Sequence, residues 1–294
     1  MVFVLLRIAP GDPAAVALGI NATPEALAAR RAELGTDRPP IVQYLDWIGG
    51  MLSGNFGTSF TSGQDISPLI IDRTQVSLIL VITAMVVAMV IAIPVGTYAA
   101  VRHRHADGIA VTASSQIGIA VPGFLFGILL VGIFAVQLGW FPANGWVPPA
   151  VDLGGFASRL VLPVLSLAAV QAAIMTRYVR SAVLEVMSED FLRTARAKGL
   201  SPIRALVRHG LRNAAIPVIT VVGVQMAFLV IGAVVIERVF VIPGLGSLLI
   251  DSIGNRDLMT VQSVVMVLVF ITIVINLLVE LTYTFLDPRI RRAS

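Results

Sequence analysis

The chain has 294 residues, 57% of them hydrophobic and only 13% charged, with a mean hydropathy of +0.90 and a formal net charge of +4. Soluble domains carry about a quarter charged residues, so this composition belongs to a polytopic membrane protein. The absence of cysteine excludes disulfides, thiolate metal sites and cysteine nucleophiles, and three histidines (His103, His105, His209) leave little for a metal centre.

Met1 to Leu6 is an apolar stub, far short of the roughly 20 residues that cross a bilayer, and it runs into Arg7-Ile-Ala-Pro-Gly-Asp-Pro13. The expectation is a truncated first span, and the missing basic leader argues against a signal peptide. Residues 11–72 are polar and mixed, their acids (Asp12, Glu25, Glu33, Asp37, Asp46, Asp65, Asp72) outweighing their bases, which suits the outer side. Thr23 followed by Pro24 opens a helix running to about Leu34. Val76 to Val101 is the next span, with Pro94 and Gly96 near its inner end. Arg102-His-Arg-His105 then marks the cytoplasm, its histidines reading as part of a solvated topology signal rather than as a metal pair.

Gly108 to Val136 is long enough to cross with tilt or a break. Ser114, Ser115, Gln116, Pro122 and Gly123 bring polar atoms and a kink to mid-membrane depth, which is tolerated where other groups or water satisfy the freed carbonyls. That stretch either lines a translocation path or forms a packing kink. Gln137 to Ser158 is an outer loop with Trp140 and Trp146 as interfacial anchors, and Arg159 to about Val179 crosses again, carrying Gln171 inside it.

Asp190 to Thr220 is the most basic part of the chain, with Arg193, Arg196, Lys198, Arg204, Arg208 and Arg212 against Asp190 alone. Charges at several kcal/mol apiece do not sit in hydrocarbon, and an excess of arginine places the loop in the cytoplasm. Asp190 to Lys198 reads as a helix with small Ala195 and Ala197 near its end, stopped by Gly199. Ser201-Pro202 is an N-cap followed by proline at the first helical position, so a second short helix begins at once. In it Ile203, Leu206, Val207 and Gly210 share one face, while Arg204, Arg208 and Arg212 repeat on another. The expected product is a basic helix-turn-helix elbow suited to docking a partner.

About Ala214 to Ile236 is a further span, closed by Glu237-Arg238. Val239 to Gln262 reads VFVIPGLGSLLIDSIGNRDLMTVQ, in which Pro243, Gly244 and Gly246 are expected to make a tight turn before a short re-entrant or interfacial helix. This element either lines an outer gate or stabilises it. Met259 to Leu281 is the last span, and Leu286-Asp-Pro-Arg-Ile-Arg291 is a basic cytoplasmic tail.

Three blocks carry a resemblance. The run Arg7 to Pro13, the elbow RTARAKGLS with HGLRNAAIP, and FVIPGLG…RD…VQ through to the tail resemble the ABC-transporter permeases of the dipeptide/oligopeptide/nickel import family, of the kind with an N-terminal PGDP outer segment. Aligned on Gly199, the family's EAA loop pattern is departed from at Arg193, Thr194, His209 and Arg212, as in its peptide subfamily. The resemblance implies an all-α type I ABC importer transmembrane domain, here with five complete spans plus the truncated first one. It divides the chain into residues 1–72 (first helix and outer segment), 73–287 (permease domain with a coupling loop over 183–213) and 288–294 (tail).

It further implies import of peptides or a related small solute across a bacterial or archaeal cytoplasmic membrane. Partners would be a second homologous permease, one or two cytoplasmic ATPase subunits and an extracytoplasmic solute-binding protein, with lipid around it and no nucleic acid. ATP and Mg would sit on the ATPase and no cofactor on this chain. Coupling would fall to Arg193, Thr194, Ala195, Ala197, Lys198, Gly199, Ser201, Pro202, Arg204, Arg208 and His209. Ser114, Ser115, Gln116, Pro122, Gly123 and Gln171 would line the path, and Pro243, Gly244 and Gly246 the outer gate.

No G-x-x-x-x-G-K-[ST] loop, H-E-x-x-H or plausible Ser/His/Asp set occurs, so the chain does not hydrolyse ATP itself. Two other classes fit worse. A secondary transporter needs acidic or broken-helix ion sites at mid-membrane, whereas the acids here lie at span ends; an intramembrane enzyme needs a catalytic pair at depth, and none occurs.

Overall fold

The computed structural model describes residues 3–4, 12–19 and 22–286, so most of the Arg7–Pro13 run and the tail lie outside the described residues. The described elements are helical: α1 Pro13–Leu18, α2 Pro24–Leu34, α3 Pro40–Leu52, α4 Ser67–Val101, α5 Ala106–Ala120, α6 Gly123–Gln137, α7 Leu153–Met187, α8 Asp190–Ala197, α9 Pro202–Val239, α10 Leu245–Gly254 and α11 Leu258–Leu286. Four of them (α4, α7, α9 and α11) are long and apolar enough to span a membrane, and α5 with α6, bent by 96° at their junction, pass that test together, as a broken span or a re-entrant loop. The expected kink is therefore a near right-angle turn. Its cause is local: Val121 is extended, as residues before proline are driven to be, and Pro122 supplies no N–H.

The helices overrun the spans that hydropathy marks. At 1.5 Å per residue the 35 residues of α7 reach about 52 Å, against about 30 Å of hydrocarbon. The surplus lets α7 continue past the hydrocarbon toward the basic elbow that follows it.

Two compact units divide the chain. The first takes residues up to 78 with Pro243–Ile271, and the second takes Ile79–Ile242 with the residues from Thr272 onward. In the second, Ala84, Ala88, Ala92, Gly96 and Ala100 recur every fourth residue on α4 and are buried. Lipid tails are as apolar as leucine, so burial alone does not drive helices together there; small residues act by allowing close approach. A side chain at Gly96 would meet the Thr176 carbonyl at 2.7 Å and Val179 Cβ at 2.8 Å, which places α4 almost backbone to backbone with α7. At Gly223 of α9 it is the Val279 side chain of α11 that fills the space a side chain would take.

In the first unit the outer segment is fastened to the start of α11. Asp257, buried, accepts from the hydroxyls of Ser59 (2.6 Å), Thr61 (3.4 Å) and Thr260 (2.6 Å) and from the Phe60 N–H (3.0 Å). The Trp47 indole N–H donates to Ser263 Oγ (3.4 Å), and that hydroxyl donates to the Phe56 carbonyl (2.8 Å). Before α4, the Asp65 carboxyl takes the Ser67 hydroxyl and N–H at 2.6 and 2.9 Å, and the two donors hold it below the usual carboxylate range.

Candidate functional site

The elbow is built as the sequence predicts for its first half and differently for its second. Helix α8 ends at Ala197, Lys198 caps it, and Gly199 takes φ +91°, a left-handed value that favours glycine. Ser201 Oγ accepts from the Arg204 N–H at 3.4 Å, with Pro202 at the first helical position. The second helix is not short, however. It passes through a π turn at Leu206–Gly210 and continues without a break as the membrane span of α9, 38 residues in all.

The π turn also corrects the expected faces. Leu206 and Gly210 are buried with Ala205 and Leu192 against Val183, Val186 and Ala214, while Ile203 and Val207 are 62% and 60% exposed. Widening the turn shifts the phase, so the four residues expected on one face divide between two. The elbow lies outside hydrocarbon, where burying Leu192 and Leu206 contributes about 1.5–3 kcal/mol each. The exposed Arg193–Asp190 contact at 3.4 Å adds at most a few tenths. Packing sets the elbow's shape.

Its outer surface is consequently free. Arg193, Thr194, Arg196, Ala197, Lys198, Gly199, Ser201, Pro202, Arg204, Arg208 and His209 are exposed and Ala195 is half-buried. Ile203 and Val207 stand among the cations as two apolar points, a mixture that residue spacing alone does not disclose.

The membrane-embedded candidates are brought together only in part. Side chains at Gly118, Gly123 and Gly127 would meet Ala173, then Ser166 and Val170, then Ser166, so the α5–α6 break lies along the two turns of α7 that carry Gln171. Ser114 and Gln116 are on the exposed face of α5, Pro122 is exposed and Gly123 half-buried. Ser115 is turned inward, its hydroxyl donating to the Val111 carbonyl at 3.0 Å. Gln171 is only 5% exposed and its amide nitrogen has no partner, so it lies inside the bundle and not on an open wall. A broken helix was one mark of a secondary transporter, yet the one acid on α5 and α6 is Asp107, at the entrance of α5. It is tied there to Arg102 and the Tyr98 hydroxyl.

At the outer side the tight turn falls one step earlier than expected. Helix α9 closes with Ile242 N–H to Glu237 O (2.8 Å) and Val241 N–H to Arg238 O (3.4 Å), and the left-handed residue is Val241 at φ +52°. Gly244 is extended and Gly246 is already helical, both buried beside half-buried Pro243. The Leu245 N–H is capped by Ser77 Oγ at 2.8 Å. Helix α10 ends in the same manner, Asp257 N–H to Ser252 O and Arg256 N–H to Ile253 O, with Arg256 at φ +55°.

Two family models match: "Binding-protein-dependent transport system inner membrane component" over residues 92–292, and the N-terminal model of such membrane components over residues 1–81. The chain belongs to this family. It is similar to a probable peptide ABC transporter permease protein, y4tP, of Sinorhizobium fredii, 39% identical over 99% of this chain and 93% of that one. It is also similar to the glutathione transport system permease protein GsiC of Salmonella typhimurium, 41% identical over 99% and 92%. Among solved structures, inward-facing MetNI, a methionine ABC transporter, matches with a TM-score of 0.61 at 18% identity over 74% of this chain and 96% of that one. An amino acid ABC transporter matches at 0.55 and 14% over 74% and 94%. At those identities the likeness is one of fold, that of a type I importer membrane subunit. The chain is thus a multi-pass inner-membrane permease of a binding-protein-dependent ABC import system, and not an enzyme in its own right.

Proposed function

We propose that this permease carries di- or oligopeptides, or a related small solute such as glutathione, inward across the cytoplasmic membrane. Its relatives' names support the solute class: peptide and glutathione permeases, each matched over nearly the whole chain. A second homologous permease completes the path. One or two cytoplasmic ATPase subunits bind ATP and Mg, and an extracytoplasmic protein delivers the solute.

The observation that carries the coupling role is the exposed elbow: Ile203 and Val207 among Lys198, Arg204 and Arg208, on a helix continuous with a span. In the scheme the apolar pair fills a cleft on the ATPase and the cations meet acidic or carbonyl acceptors at its rim. ATP-driven closure draws two elbows together, and each state is favoured only by what its ligands gain from it. Ser114 and Gln116, exposed on α5 beside the break, face the path, and the buried Gln171 amide stands behind it. Pro243, Gly244 and Gly246 support the outer gate.

The test is Ile203→Asp with Val207→Asp, expressed with the ATPase and partner permease. Membrane insertion is expected to stay at wild-type level while ATPase co-purification and peptide uptake fall to background. Normal ATPase recovery with this variant would remove the elbow from the coupling interface.

A further inference from the structure

Helix α3 carries a face that the import scheme does not use. Ile41, Leu45, Ile48 and Leu52 follow at intervals of four, three and four, which puts all four on one stripe running the length of the helix. No polar side chain interrupts it. Ile41, Leu45 and Leu52 are 63%, 60% and 87% exposed, among the most exposed large apolar residues of the chain, and Ile48 is half-buried. The opposite side is the anchored one: Trp47 is buried, Gln43 donates to the Thr36 and Arg38 carbonyls, and Asp46 pairs with Arg38.

The depth of that anchor decides what the stripe meets. Trp47 donates to Ser263, which is five residues into α11 and so about 8 Å below its first residue. The 29 residues of α11 reach about 43 Å, roughly 13 Å more than the hydrocarbon core, so each end overhangs by about 6 Å when the helix is centred. Ser263, and Trp47 with it, therefore lies at the outer boundary of the hydrocarbon. The aromatic trio agrees with that level. Phe3, Tyr44 and Trp47 pack with ring centroids 5.5 to 6.2 Å apart, and tyrosine and tryptophan concentrate where one end of a ring is dry and the other wet. Acids and arginines of the outer segment (Asp12, Arg31, Arg38, Asp46) pair among themselves on the wet side.

We propose that α3 is an interfacial helix whose Ile41–Leu45–Ile48–Leu52 stripe is immersed in the outer leaflet of the bilayer, so that the outer segment is held down by lipid on one face and by α11 on the other. The occupant is phospholipid acyl chain, and the helix lies along the membrane surface, because only that orientation immerses three turns of the stripe together.

This chain contains no cysteine and so adds no labelling background of its own; reactive cysteines of the partner subunits are replaced first. Ile41→Cys, Leu45→Cys and Leu52→Cys are spin-labelled in the assembled transporter, reconstituted into phosphatidylethanolamine/phosphatidylglycerol nanodiscs, with Ser62→Cys as the aqueous reference. Collision with molecular oxygen, which concentrates in acyl chains, is compared with collision with a water-soluble nickel chelate. The expected result is an oxygen-to-nickel ratio raised severalfold over the Ser62 reference at all three positions. Free access of nickel at position 41 or 52 overturns the proposal, since the stripe then faces water or dips at one end only. Protection from both reagents overturns it as well and assigns the stripe to a protein partner. Because the readout is local and needs no transport, its failure is separable from failure of the import reading.

Discussion

At the scale of single residues, the outer segment depends on one carboxylate. Asp257 is buried and surrounded by neutral donors from two separate stretches, Ser59–Thr61 and Thr260. Hydrogen bonds to a charged acceptor contribute about 1.5–3 kcal/mol each, and removing the acceptor strands every donor at once. Asp257→Ala is therefore expected to destabilise the first unit by about 3 kcal/mol or more, and Asp257→Asn by less, since its amide oxygen still accepts. Thermal unfolding in detergent, with limited proteolysis between residues 53 and 66, measures it. Equal melting of the alanine variant and the native chain would show that the cluster is ornamental. The Arg-Asp pair was visible in the sequence as part of a motif, but its role was not, because the partners lie some two hundred residues away. Val241 illustrates a different blindness. Sequence logic gives left-handed positions to glycine, and two glycines stood nearby, yet the helix closes on a β-branched residue at a cost of about 1–3 kcal/mol.

Helices were legible where their signals are local. Ser201-Pro202 and Gly199 bound the elbow as capping chemistry requires, and Thr23 caps α2 through its hydroxyl. Helix lengths were underestimated, because hydropathy records the apolar stretch and the helix carries on past it in water. The elbow's second helix, expected to be short and separate, differs for the same reason. Its basic residues mark where the membrane ends, not where the helix ends, and a π turn leaves no trace in composition. Close approach between helices is the other property hidden from periodicity. Gly96 reads as one small residue near a proline, but a methyl group there would sit 2.7 Å from a carbonyl oxygen of α7. Backbone cannot retreat as a flexible side chain can, so Gly96→Ala is expected to separate α4 from α7 and cost about 1–3 kcal/mol. Gly132, where a side chain meets open space, is the matched control. Comparison of the two alanine variants by thermal unfolding decides the point, and equal melting temperatures would mean the α4–α7 contact is looser than the structure has it.

For the molecule as a whole, the continuity of α9 bears on how work at the cytoplasmic face reaches the membrane. The elbow is fused to α7 through Ser188 and Glu189 and to the span of α9 through a π turn with no loop at all, and its interior (Leu192, Ala205, Leu206, Gly210) packs on Val183 and Val186 of α7. A displacement of the docked surface has no slack segment in which to dissipate. On the proposed coupling role, docking and transmission become separable: Ile203 and Val207 would serve the first, and helical continuity between Ala205 and Leu211 the second. Inserting two glycines after Gly210 leaves the docking face and its buried Leu206 in place but introduces a flexible joint before the span, each glycine costing about 1 kcal/mol of helix propensity. The expected outcome is an ATPase that co-purifies and hydrolyses ATP as before while solute uptake is lost. If uptake persists with the joint installed, force reaches the spans through α7 alone. If the ATPase no longer co-purifies, the docking surface extends beyond the exposed residues of the elbow into the π turn itself.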